Sequence, residues 1–122
     1  RMDEQGYRPS EGSCIISEDV IATIASTAAL DVAGVAGMAS RPADIRGIIG
    51  SGAAKSVRVI NNENETVLEV YINLKLGARI PEVAGEVQHA VKVAVQSMTG
   101  KPVNKVNVHV SGLVLEDDKT GE

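Results

Sequence analysis

The chain has 122 residues, enough for one domain with a core of its own and no need of metal or disulfide staples. Sixteen acidic against twelve basic residues leave a net charge of −4, and there is no Trp or Phe and only two Tyr, so both the bulk positive charge and the ring platforms on which nucleic-acid binders rely are missing. The single Cys, Cys14, excludes an internal disulfide and a cysteine-based metal site and suits a reducing cytoplasm, while no apolar run approaches membrane-spanning length.

In chain order, residues 1–14 are rich in Gly, Ser, Pro and charge and read as a disordered N-terminal tail that is not signal-like; Arg1 ahead of Met2 suggests a natural start at Met2. Ser17 is placed to cap a helix over about Glu18 to Val32, with Glu18 and Asp19 favourable beside the positive end of its dipole. Ile21, Ile24, Ala25, Ala28 and Val32 share its apolar face. Ala22, Ser26 and Ala29 fall on the outer side with Leu30, and such small residues permit a partner to approach closely. Gly34 to Met38 reads as a short extended segment or edge strand, weakened by its glycines.

Between Ala39 and Ala54 lies a Gly-rich connection, the candidate mobile and functional loop, carrying Arg41, Arg46, Gly47 and Gly50 and leading to Lys55. A strand over Lys55 to Ile60, with Val57 and Val59 on one face, is turned by the Asn61 to Glu65 cluster into the clearest strand of the chain. There Leu68, Val70, Ile72, Leu74 and Leu76 point inward and Glu69, Tyr71, Asn73 and Lys75 outward, until Gly77 ends it. A second helix runs about Pro81 to Thr99, stopped by Gly100 and Pro102. Val83, Ala84, Val87, Ala90, Val91, Ala94, Val95 and Met98 form its apolar arc, with Val93 alone among the polar positions. Val106, Val108 and Val110 then alternate with Asn107, His109 and Ser111, and Gly112 shifts the phase as a bulge or strand end would. Residues 116–122 form an acidic tail, read as disordered. Residues 15–115 are thus one α+β domain: a two-layer sandwich with both helices on one face of a mainly antiparallel sheet of three or four strands.

Ile80-Pro81-Glu82-Val83-Ala84, Val87-Gln88, Met98-Thr99-Gly100, Val106-Asn107-Val108-His109-Val110 and Gly112 together resemble the alkaline shock protein family of bacterial envelope-stress proteins, over about Ile15 to Leu115. The resemblance implies the same α+β arrangement. It also implies a cytoplasmic protein that supports cell-envelope homeostasis under stress and is held at the inner face of the membrane by a membrane-anchored partner. Leu76 departs from the family pattern, which favours an aromatic before this glycine.

No nucleophile elbow, phosphate-binding loop, zinc-binding His-Glu motif or Cys pair is present, and no cofactor or metal is expected. His89 and His109 fall on opposite sides of the predicted sandwich and read as solvated side chains. Glu82 and Glu86, one turn apart, read as ordinary helix surface. These readings favour a non-enzymatic interaction protein that self-associates or docks through Ala22, Ser26, Ala29, Leu30, Tyr71 and Val93. The alternative is an RNA-binding module that uses Gly47-Ile48-Ile49-Gly50 as a KH-like backbone clamp; it is disfavoured because the middle residues are apolar and a strand, not a helix, follows.

Overall fold

In the computed structural model of the protein, which describes residues 14–42, 52–62 and 65–115, Ser17 opens helix α1, Glu18–Leu30. Its hydroxyl accepts a hydrogen bond from the Val20 N–H at 3.2 Å, which satisfies one of the donors that a helix start leaves unpaired. The short strand β1, Val35–Met38, follows. Beyond it, Gly52–Lys55 form a single 3-10 turn, so Lys55 precedes strand β2, Val57–Asn61, rather than opening it. Strand β3, Thr66–Lys75, leads into helix α2, Ile80–Thr99, and the chain closes with strand β4, Lys105–Val114. Pro81 lies in the first turn of α2, where its missing N–H costs nothing. Gly100 ends the helix in the left-handed conformation, φ 74°, and donates its N–H to the Gln96 carbonyl.

β3 is the centre of the sheet. β4 lies parallel along one of its edges, from Val67 beside Lys105 to Lys75 beside Val114, while β1 and β2 share the other edge end to end, both antiparallel. The two short strands meet opposite Tyr71, whose N–H donates to the Ser56 carbonyl and whose carbonyl accepts from Ala39. The parallel pairing follows from α2, a crossover long enough to return the chain to the start of the sheet. At Gly112 the register slips by one residue, with Val110 beside Ile72 and Gly112 beside Asn73, which is the bulge that the phase shift predicts.

The expected two-layer α+β sandwich is therefore present, with two of its three ladders antiparallel. Leu68, Val70, Ile72 and Leu74 are wholly buried on one face of β3, and Val83, Val87, Val91 and Val95 of α2 and Val106 of β4 join them in one cluster. Burying each such side chain stabilises by roughly 1.5–3 kcal/mol, which is how a chain almost without aromatics supports its fold.

Three expectations need correction. Ala22 and Ala29 are not on an outer face: both are 0% exposed and, with Ile21 and Ala25, form the buried stripe of α1, which packs against α2. Their small size does allow close approach, but by the neighbouring helix of the same chain. Leu76 does not point inward, because β3 ends at Lys75 and Leu76 lies exposed in the turn that follows. Met98, on the predicted arc of α2, is also exposed, in the last turn of the helix.

Candidate functional site

With both helices on one side, the other face of the sheet carries the outward residues of β3 and their neighbours in register. Asn107 of β4 and Arg58 of β2 lie on either side of Glu69, and His109 lies beside Tyr71. The Tyr71 and His109 rings, directly side by side on adjacent strands, stack with centroids 4.3 Å apart and planes within 10°. Glu69 binds the group together. Its Oε1 accepts from the Tyr71 hydroxyl at 3.4 Å and lies 3.2 Å from His109 Nε2, and its Oε2 accepts from Asn107 Nδ2 at 3.4 Å.

The two hydrogen bonds are long, and His109 Nε2 is buried beside Glu69 without an aligned hydrogen bond. The Tyr71 hydroxyl is pushed above the ordinary tyrosine range, first by burial and then by the charge and hydrogen bond of Glu69, with Arg58 and Arg41 acting in the opposite sense. Burial and the Glu69 charge thus favour the neutral form of the Tyr71 hydroxyl. Gly112 leaves room for Asn73, whose Oδ1 would lie 3.2 Å from a side-chain carbon at that position.

One end of this sheet is apolar. Leu76, Leu113, Val114 and Leu115 are between 43% and 75% exposed, and the Leu76 N–H donates to the Val114 carbonyl at 2.8 Å, which holds the turn after β3 against the end of β4. Two open grooves flank the helices. One, of about 350 Å³, lies between α1 and the end of α2 and is lined by Asp19, Val20, Thr23, Ile24 and Met98. The other, of about 440 Å³, lies between α2 and β4.

Of the residues singled out from the sequence, Leu30 and Val93 are exposed, Tyr71 is half-buried, and Ser26 is half-buried with its Oγ buried and unpaired. Leu30 at the end of α1, Val93 on α2 and Tyr71 on the helix-free sheet face do not form one surface. Arg41 is tied to the 3-10 turn, its Nε donating to the Ala54 carbonyl at 2.7 Å and its N–H to the Lys55 carbonyl, while Lys55 is exposed. Arg46, Gly47 and Gly50 lie outside the described residues, in a connection between β1 and that 3-10 turn. His89 is exposed on α2, on the opposite layer from His109, and Glu82 makes a long contact of 3.9 Å with Arg79. Among the described residues no three His, Cys, Asp or Glu side chains are grouped as a metal site would need.

The apolar end of the sheet lies apart from the interface residues that the sequence singles out. Its signal is the run Leu113-Val114-Leu115 after the Gly112 phase shift, since a half-buried strand cannot hide three consecutive apolar side chains.

A model of the alkaline shock protein 23 family, described as having a cell envelope-related function, matches residues 7–115. The chain is 34% identical over 110 residues to YloU of Bacillus subtilis, covering 87% of this chain and 92% of that protein. It is 32% identical over 109 residues to YqhY of the same organism, covering 86% and 79%. Among solved structures, the MamM CTD in a copper form superposes with a TM-score of 0.50 at 16% identity, covering 86% of this chain and 93% of that one. A variant of the same CTD gives 0.51 at 17% identity, covering 89% and 91%. At such identities the likeness is one of fold.

Proposed function

This chain belongs to the alkaline shock protein 23 family, whose function is cell envelope-related, and we propose that it is a non-enzymatic interaction protein that supports envelope homeostasis under stress from the cytoplasmic side of the membrane. In this reading a membrane-anchored partner protein holds it there, and copies of the chain also associate with one another. The observation that carries the proposal is the apolar end of the sheet, where Leu76, Leu113, Val114 and Leu115 stand in water at the joined ends of β3 and β4. Apolar side chains exposed together at the joined ends of two strands are suited to cover by a partner. No helix among the described residues is long and apolar enough to cross a membrane.

The test is Leu76→Asp with Leu113→Asp. Both side chains are at least half exposed, so the circular dichroism spectrum and the melting temperature are expected to stay close to those of the parent. The amount that pellets with cell membranes should fall about tenfold, the loss given by removing about 1.4 kcal/mol of contact energy. A folded double variant that pellets as the parent does would refute the patch as the contact.

A further inference from the structure

Among the described residues β4 pairs only with β3, so its second edge carries unpaired backbone groups, and the register says which they are. Tyr71 turns its N–H and C=O toward Ser56 and Ala39, away from β4. Backbone direction alternates along a strand, so β3 meets β4 through Val70 and Ile72, which flank His109 in the parallel ladder. The N–H and C=O of His109 therefore face β3, and those of Val108 and Val110 face outward.

This open stretch is closed off on both sides of His109. On one side the Val106 carbonyl also faces outward, but it accepts Gln88 Nε2 of α2 at 3.2 Å. Equally far on the other side, the bulge brings Gly112 round to face β3, in phase with Val114, whose carbonyl takes the Leu76 N–H. What lies between them is centred on His109 and presents the same backbone groups in both directions. Natural edge strands are commonly guarded by charge, proline or a bulge; here the bulge stands alone, for Val106 to Leu115 contains no charged residue and no proline. A second copy can therefore approach this edge without meeting like charge on the strand, although each chain carries a net charge of −4.

We infer that two copies of the chain pair through this edge, β4 antiparallel to β4 about a two-fold axis at His109. Val108 of each copy then exchanges both backbone bonds with Val110 of the other, the two sheets become one, and a single self-complementary contact satisfies the open stretch. So short a ladder buries too little to hold a dimer alone, since about 800 Å² per partner is usual, and the α2 helices above the edge complete the contact. Gly85 lies on the side of α2 that overhangs β4, and a side-chain carbon built on it meets nothing within 4 Å, which leaves room for the second helix. The inference rests on the reading that copies of the chain associate and names the surface they use; it does not depend on the apolar end of the sheet.

The test uses the full chain with Cys14→Ser, so that any disulfide comes from an introduced thiol. Light scattering is expected to show the mass rising from one chain to two as concentration increases. His109→Cys should give a disulfide-linked dimer on mild oxidation, because residues opposite each other in a non-hydrogen-bonded pair have Cα atoms about 4.5 Å apart, within disulfide reach. Ser111→Cys should not crosslink to itself, because the register sets it opposite Asn107, and it should crosslink to Asn107→Cys in a mixture. Asn107 and Ser111 are both exposed, so charges placed there should leave the melting temperature close to the parent's. Asn107→Lys with Ser111→Lys sets like charges across the axis and should self-associate at least about tenfold more weakly than Asn107→Lys with Ser111→Glu, which sets opposite charges there. The inference is overturned if the parent stays monomeric up to about 1 mM, if Ser111→Cys crosslinks to itself and His109→Cys does not, or if the two charge variants associate alike. It is also overturned if Leu76→Asp with Leu113→Asp abolishes a dimer that the paired lysines leave intact. A parent chain that is monomeric and still pellets with cell membranes would dismiss this edge and leave docking at the membrane standing.

Discussion

Ala22→Glu combined with Ala29→Glu is expected to abolish folding. Ala22, Ala25 and Ala29 lie at i, i+3 and i+7 on α1, all wholly buried, in one cluster with Val83, Val87, Val91 and Val95 of α2. A glutamate at either position is too large for the space that alanine fills, and such overpacking costs about 1–3 kcal/mol. Its carboxylate would also stand among methyl groups without a counter-charge, a penalty of several kcal/mol in a real protein. Two such sites together exceed much of the roughly 5–15 kcal/mol that holds a domain of this kind. Circular dichroism should show no cooperative melt, and the amide spectrum should lose its dispersion. The matching pair Leu30→Glu and Val93→Glu, at exposed positions on the same two helices, should change stability by no more than about 0.5 kcal/mol each. A double Ala22, Ala29 variant that melts like the parent would mean that α1 does not pack through this stripe.

Gly34→Val is expected to lower stability by about 2–6 kcal/mol, the sum of two independent causes. Gly34 has φ +99°, a backbone conformation that L side chains rarely adopt, and holding a β-branched residue there costs about 1–3 kcal/mol. A side-chain carbon at Gly34 would also lie 2.8 Å from Val83 Cγ2, inside van der Waals contact, and Val83 is itself buried on the core face of α2. Gly34 cannot move away freely, because its carbonyl accepts the Lys75 N–H at 2.8 Å and so fixes the start of β1 against the end of β3. A fall in melting temperature of ten degrees or more is the expected readout, at roughly several degrees per kcal/mol for a domain of this size. Gly37→Ala is the control. It meets no atom within 4 Å, has no positive φ, and should leave the melt within a few degrees of the parent, as an unstrained glycine replacement does.

The parts of the fold that could be read from residues alone are those in which large and polar side chains alternate strongly. β3 sets Leu, Val and Ile against Glu, Tyr, Asn and Lys, and only one phase of that strand can be buried; the same contrast marks α2 and β4. α1 is different. Alanine occurs on both sides of its arc, so hydrophobicity hardly varies around the helix, and the choice between Ala22 and Ala28 as the centre of the buried stripe depends on where α2 lies. Leu76 and Met98 mark a second limit, because an apolar residue at the end of an element is buried only if the opposite layer extends over it, and here it does not. In the candidate site, the outward placement of Tyr71 and His109 follows from alternation, but their stacking depends on the β3–β4 register, which comes from a parallel pairing across twenty residues of helix. The groove over β4 is hidden for the same reason: its lining joins residues from two elements that only the crossover brings together.

The central claim is that the chain acts at the envelope by docking on another protein. The most direct measurement compares how much of the purified chain sediments with isolated cell membranes and with protein-free vesicles made from the same extracted lipids, at matched lipid and near-physiological salt. The chain is expected to pellet with the membranes, to lose that association when the membranes are first treated with protease, and to stay in the supernatant with the vesicles. Equal pelleting with protein-free vesicles, or no pelleting with untreated membranes, would contradict the account.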